Sequence, residues 1–170
     1  ILSKAEGLKI VFTNLHGTGG FLIPTILKDL GFDFDTVAAQ DEPDGRFPTV
    51  PSPNPENASA LQMAIDQAES TGADLIIGTD PDCDRMGCGV LDDSGKIQLL
   101  TGNQIGSLMA YYRCKTFTDL GIVNDSNRDR SVLVKTFVTT ELQRAIADHF
   151  GIPIVDTLTG FKYIGGKLRK

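Results

Sequence analysis

The chain has 170 residues, 41% hydrophobic and 22% charged, a balance that excludes a disordered polymer and permits one domain or one domain plus part of another. A formal net charge of -6 gives no basic face for collecting phosphates, so nucleic acid is not an expected partner. Apolar runs of a few residues are too short for a membrane helix, and Cys83, Cys88 and Cys114 lack the spacing of a disulfide framework or zinc site. With no signal-peptide pattern at the start, a cytoplasmic protein without membrane contact is expected.

Apolar β-rich runs alternate with segments of helical period, the grammar of an α/β fold. A first strand is predicted over 8–15 (LKIVFTNL), then the Gly-rich HGTGG and a helix to about Gly31, then a second strand near 34–39. HGTGG reads as a tight strand-to-helix turn with a structural His16. It lacks the G-x-G-x-x-G spacing of a nucleotide cradle.

Five of the eight prolines fall between Pro43 and Pro55, so that stretch is expected to be a long ordered loop. Asn54 as cap and Pro55 at the first position would start a helix on which Ala58, Leu61, Ile65 and Ala68 share a face. ADLIIG follows as a buried strand and delivers TDPDCDR at its end. GCGVLDDSGKIQLL reads as a hairpin turning at Asp92–Gly95, and a helix is expected over 103–120 before the polar link NDSNRDRS.

SVLVKTFV is a predicted strand, and Thr140 with Gln143 forms a candidate capping box for a helix with Leu142, Ala145, Ile146, His149 and Phe150 on its apolar face. IPIVDTL is a last strand and TGFKYIGGKL opens a last helix. The fold class is therefore α/β: one complete α/β domain with a mixed sheet over 1–95, then a truncated second α/β domain of similar design over 96–170. The start at Ile1 and the stop within a helical pattern lead us to expect an excised piece of a longer protein.

Asp80, Asp82 and Asp84 carry the chemistry. At alternate positions they converge only if the loop curls around something positive, because unpaired carboxylates repel and raise one another's pKa. A hard divalent cation with oxygen ligands resolves that conflict. Mg²⁺ on three protein ligands keeps open positions for water and a phosphate oxygen, and Arg85 is the residue type that grips phosphate. The group looks like half of a phosphoryl-transfer site.

An EF-hand does not fit, since the sixth loop position is Arg85 rather than Gly and the twelfth is Leu91 rather than Glu. A phosphatase of haloacid dehalogenase type, with Asp80 as nucleophile and Asp82 as acid/base, stands as an alternative, although Asp84 occupies a position where Thr or Val is expected. A non-catalytic divalent-cation binding module is the other alternative.

LHGTGG, PNPEN after DGRFP, DLIIGTDPDCDR, LLTGNQIG, VKTFVTT and TLTGFKYIG together resemble motifs of the α-D-phosphohexomutases, the phosphoglucomutase and phosphomannomutase family, in that family's order. The resemblance covers nearly the whole chain and implies domain 2 plus the first part of domain 3 of four. It implies an isomerase that moves phosphate between the 1- and 6-positions of glucose or mannose phosphates through a phosphoserine and a sugar bisphosphate, with phosphoglucomutase favoured.

By the same resemblance, Asp80, Asp82 and Asp84 would bind Mg²⁺ and Arg85 would steady the phosphoryl group. Lys135 would assist proton transfer, while Thr159, Gly160, Phe161 and Lys162 would face the hexose. The serine loop T-A-S-H-N-P and the E-x-S-G loop do not occur in the sequence, so this chain is expected to be inactive without the remaining domains of its parent.

Overall fold

The computed structural model describes residues 5–168. The chain divides into two units, the first running to Thr101 and the second starting at Gly102. The first contains strands β1 (Lys9–Thr13), β2 (Asp33–Thr36), β3 (Leu75–Thr79), β4 (Met86–Leu91) and β5 (Ile97–Leu100), with helices α1 (Gly19–Asp29) and α2 (Ala58–Thr71). Its sheet has the order β2-β1-β3-β4-β5. β1 runs parallel to β2 and β3, whereas β3, β4 and β5 pair antiparallel.

Successive side chains of a strand face opposite sides of its sheet, and β1 uses both. Ile10 and Phe12 enter one core with Leu27 of α1, while Val11 enters the other with Leu61, Ala64 and Ala68 of α2 and Ile76 of β3. The sheet is thus covered on both faces, as parallel strands require. A Cβ on Gly78 would come within 2.4 Å of Leu61 Cδ2, so α2 packs directly on the backbone of β3.

The hairpin of β4 and β5 spans the boundary expected near residue 95; β5 pairs with β4 in the first sheet, and the first compact unit runs on to Thr101. Asn57, not Asn54, stands at the start of α2. The Asn54 side chain accepts from the Glu56 amide at 3.0 Å within the preceding turn, so the segment between Pro55 and Ala58 stays in the loop.

The second unit contains α3 (Gly102–Asp119), β6 (Leu133–Thr136), α4 (Leu142–His149), β7 (Ile154–Thr157) and α5 (Phe161–Leu168). β6 and β7 pair in parallel with Leu133 opposite Ile154 and Lys135 opposite Asp156. Ala110 and Cys114 of α3, Val123, Ile146 of α4 and Ile152 form its core. β6 is half the length of the predicted SVLVKTFV strand: Phe137 and Val138 lie beyond it and are exposed. The capping box is not made; Thr140 Oγ1 accepts from the Leu142 amide at 3.2 Å and Glu141 is the first cap residue.

Candidate phosphoryl-transfer site

The loop between β3 and β4 closes an antiparallel pair in which Thr79 lies opposite Met86. Asp80 folds inward and is fully buried, whereas Asp82 and Asp84 are exposed. Asp80 Oδ1 accepts from the Asp84 and Arg85 amides, each at 3.0 Å, and Oδ2 takes the Arg85 Nε at 2.7 Å. Cys83, which donates its amide to the Asp80 carbonyl at 3.0 Å, adopts φ 61°, the left-handed conformation that turns the chain back. The carboxylates therefore meet because the loop is a tight turn around Asp80, not because it is extended.

One oxygen from each of Asp80, Asp82 and Asp84 lies within 4.8 Å of the others. Three carboxylates and one guanidinium leave two negative charges in excess. Burial pushes the Asp80 pKa up, but the hydrogen bonds from Arg85 outweigh it and the net direction is down. Repulsion from Asp82, then desolvation and the charge of Asp80, raises Asp84. Bonding to Asp80 raises Arg85 further. This unrelieved repulsion among oxygen donors fits a hard divalent cation, and the thiol of Cys83 is not a suitable ligand for one.

The Gly-rich turn before α1 braces the loop. The Thr18 amide and hydroxyl both donate to the Pro81 carbonyl, at 2.8 and 3.0 Å. A Cβ on Gly17 would lie 2.3 Å from Pro81 Cα, a clash with backbone that only glycine avoids. No local pattern signals this brace, because the two partners are more than sixty positions apart.

His16 is structural, as expected for the turn. Its Nδ1 lies 3.1 Å from the Glu42 carbonyl and its Nε2 2.9 Å from Thr49 Oγ1, tying the proline-rich loop to the end of β1. Gln40 extends the chain, donating to Thr49 Oγ1 at 3.0 Å and accepting from Thr13 Oγ1 at 2.6 Å. His149 is exposed and meets the Phe150 ring edge-on at 4.8 Å.

In the second unit Lys135 is buried, not at an open strand end. Its Nζ lies 2.7 Å from Glu141 Oε1, 2.9 Å from Asp156 Oδ1 and 3.4 Å from the Thr139 carbonyl. The Asp156 contact is between charges and lacks hydrogen-bond alignment. The hydrogen bond to Glu141 first, and then the adjacent Asp156 carboxylate, raises the Lys135 pKa, so the group is an ammonium with no lone pair to offer near neutrality. Nothing in the sequence singles out Glu141 and Asp156. Only the fold brings them to Lys135.

Thr159 and Gly160 lie in an exposed turn between β7 and α5 and Phe161 opens α5, with Gly160 at φ 122° and Phe161 82% exposed. A side chain at position 160 would be strained, so glycine sets the turn. Lys162 is drawn aside, its Nζ 4.8 Å from the Tyr163 ring.

Comparison with known proteins gives these features a family. Residues 2–94 match the family described as phosphoglucomutase/phosphomannomutase, alpha/beta/alpha domain II, and residues 101–170 match its alpha/beta/alpha domain III. The chain belongs to the phosphoglucomutase/phosphomannomutase family. A phosphoglucomutase of Staphylococcus epidermidis is 42% identical over 163 residues, covering 95% of this chain and 28% of the relative. One from Staphylococcus aureus is 39% identical over 164 residues, again 28% of its length. The chain thus spans just over a quarter of these phosphoglucomutases.

Among solved structures, a phosphoglucomutase/phosphomannomutase family protein from Burkholderia thailandensis shares the fold with a TM-score of 0.74 at 22% identity, over 95% of this chain and 31% of that one. An N-acetylphosphoglucosamine mutase of Aspergillus fumigatus, in complex with GlcNAc-6P and magnesium, shares it at 0.59 and 21% identity, over 94% and 30%. Membership of this family removes the haloacid dehalogenase alternative. No helix among the described residues is long and apolar enough to cross a membrane.

Proposed function

We propose that this chain supplies the magnesium loop and the sugar-recognition turn of a phosphohexomutase that interconverts hexose 1-phosphates and 6-phosphates, with glucose favoured over mannose. The observation that carries the reading is the set of three convergent carboxylates with two negative charges left over. The phosphoglucomutase names of the relatives more than 30% identical support the choice of sugar.

Asp80, Asp82 and Asp84 would hold Mg²⁺, which supplies charge neutralisation for a phosphoryl group in transfer. Asp80 already commits most of its lone pairs to the turn, so it contributes one oxygen while the exposed Asp82 and Asp84 contribute the freer ones. Arg85 is anchored through Nε, which orients its guanidinium beside the cation for a phosphate oxygen. Thr159, Gly160 and Phe161 present backbone and a flat ring to the hexose, with Lys162 at the margin. Lys135 acts as a fixed cation, since its counter-ions hold its proton in place.

None of these residues can serve as the phosphoserine, so the chain by itself is expected not to turn over. The test is thermal unfolding with and without Mg²⁺. Mg²⁺ should raise the Tm of the chain, and the double variant Asp82→Asn with Asp84→Asn, which spares the internal Asp80, should abolish the rise. An equal rise in both proteins would remove the metal assignment.

A further inference from the structure

Four charged side chains of the second unit close on one another. Lys135 touches Glu141 and Asp156, and Arg144 touches the remaining oxygens of the same two carboxylates: its Nε lies 2.9 Å from Glu141 Oε2 and its Nη2 pairs with Asp156 Oδ2. Two cations and two anions leave no net charge, and the Lys135 side chain is only 1% exposed. Such a group has little to offer a ligand directly.

Its placement is what matters. Lys135 belongs to β6, Asp156 to β7, Glu141 immediately precedes α4, and Arg144 lies in the first turn of that helix. The segments that leave β6 and β7 therefore both depart from this network. They are tied again where the Phe137 amide donates to the Thr157 carbonyl at 3.1 Å. Beyond the ties the side chains turn outward: Phe137, Val138, Leu158 and Phe161 are 66%, 74%, 55% and 82% exposed. A rigid charged base thus carries an exposed apolar rim that includes the proposed sugar turn.

We propose that Arg144 is a positioning residue: by gripping Glu141 and Asp156 together, it fixes the segments after β6 and β7 and so presents Thr159, Gly160 and Phe161 to a hexose phosphate. The inference rests on the sugar-turn reading above. Arg144 suits the task because its planar fork engages two carboxylates at once and retains its charge at any working pH. Bonding to Arg144 adds to Lys135 in holding Glu141 below its ordinary pKa, which keeps the network ionised.

Two readouts on the same isotope-labelled chain test this, for wild type, Arg144→Met and Arg144→Lys. Amide hydrogen exchange needs no sugar. Arg144→Met should speed exchange at least tenfold in residues 137–141 and 158–160 while leaving the β6–β7 ladder amides unchanged, and Arg144→Lys should restore part of the protection. Titration with glucose 1,6-bisphosphate should then move the amide resonances of Thr159, Gly160 and Phe161 in wild type, with at least tenfold weaker affinity in Arg144→Met and only partial recovery, still short of wild type, in Arg144→Lys.

Unchanged exchange in Arg144→Met, or unchanged affinity despite faster exchange, overturns the positioning role. Absence of any sugar response in wild type overturns the sugar-turn reading and this inference with it; the exchange data still show which link failed. If Arg144→Met does not fold, Arg144→Lys alone decides, because a role that depends on the two-pronged grip requires it to lose affinity while keeping a cooperative transition.

Discussion

Asp80 and Lys135 are both buried charges beside the C-terminal end of a strand, one in each unit, and they are solved differently. Asp80 is compensated from within its own turn, by two amides and the Arg85 five positions on, yet it keeps company with two further carboxylates. Lys135 is compensated by carboxylates six and twenty-one positions away, and a second cation balances them. Both charges have partners, but only the first group carries an excess. A binding site for an ion is marked by what local pairing leaves over, and burial or a shifted pKa alone does not distinguish it.

The largest effect should come from removing the buried carboxylate of the first unit. Asp80→Ala strands two loop amides and the Arg85 guanidinium, and should cost about 3 kcal/mol, seen as a lower urea midpoint for amides of β3 and β4. A loss under about 1 kcal/mol would mean that the turn is held mainly by Thr18 and Gly17.

The second unit should respond to pH across a wide plateau. Glu141 and Asp156 have lowered pKa values, so their contribution is present above the ordinary carboxylate values of 4.5 and 3.8 and is lost as pH falls through the lowered ones. Lys135 is raised, so its contribution is complete below the ordinary 10.5 and is lost as pH climbs through the raised value. The chain's three tyrosines, Tyr111, Tyr112 and Tyr163, all belong to this unit and there is no tryptophan, so tyrosine fluorescence reports its unfolding selectively. A urea midpoint that slopes between about pH 5 and 9 would contradict a closed, balanced network.

The smallest effect has the opposite sign. Asp84→Asn relieves repulsion from Asp82 in the absence of metal, and should raise Tm by roughly 1–2 °C. A fall would show that Asp84 is already compensated and that the excess charge is not real.

Much of this was legible in the sequence because it is local. Hydrophobic periodicity located α2, β3 and the β4–β5 hairpin, and D-x-D-x-D singled out the cluster of converging carboxylates through nothing more than like charges placed too close. What escaped was either a choice between neighbouring residues or a contact across the fold. Asn54 and Asn57 are equally good caps on paper, and the turn hydrogen bond to Glu56 decides between them. Phe137 and Val138 have strand propensity, yet no partner strand extends past Thr136 opposite Thr157, so they end as an exposed rim. Lys135 was singled out in the sequence by resemblance alone, and its acids, Glu141 and Asp156, are brought to it only by the fold.

The approach of Gly17 to Pro81 limits how such a chain can vary. Every substitution at position 17 adds at least one carbon, and the first carbon added meets the Pro81 backbone at 2.3 Å. Because the obstacle is main chain, no compensating change of the Pro81 side chain makes room. Position 17 therefore has an alphabet of one letter for as long as the aspartate turn keeps its shape, and a different residue there would be a sign, readable without a structure, that the turn had been abandoned.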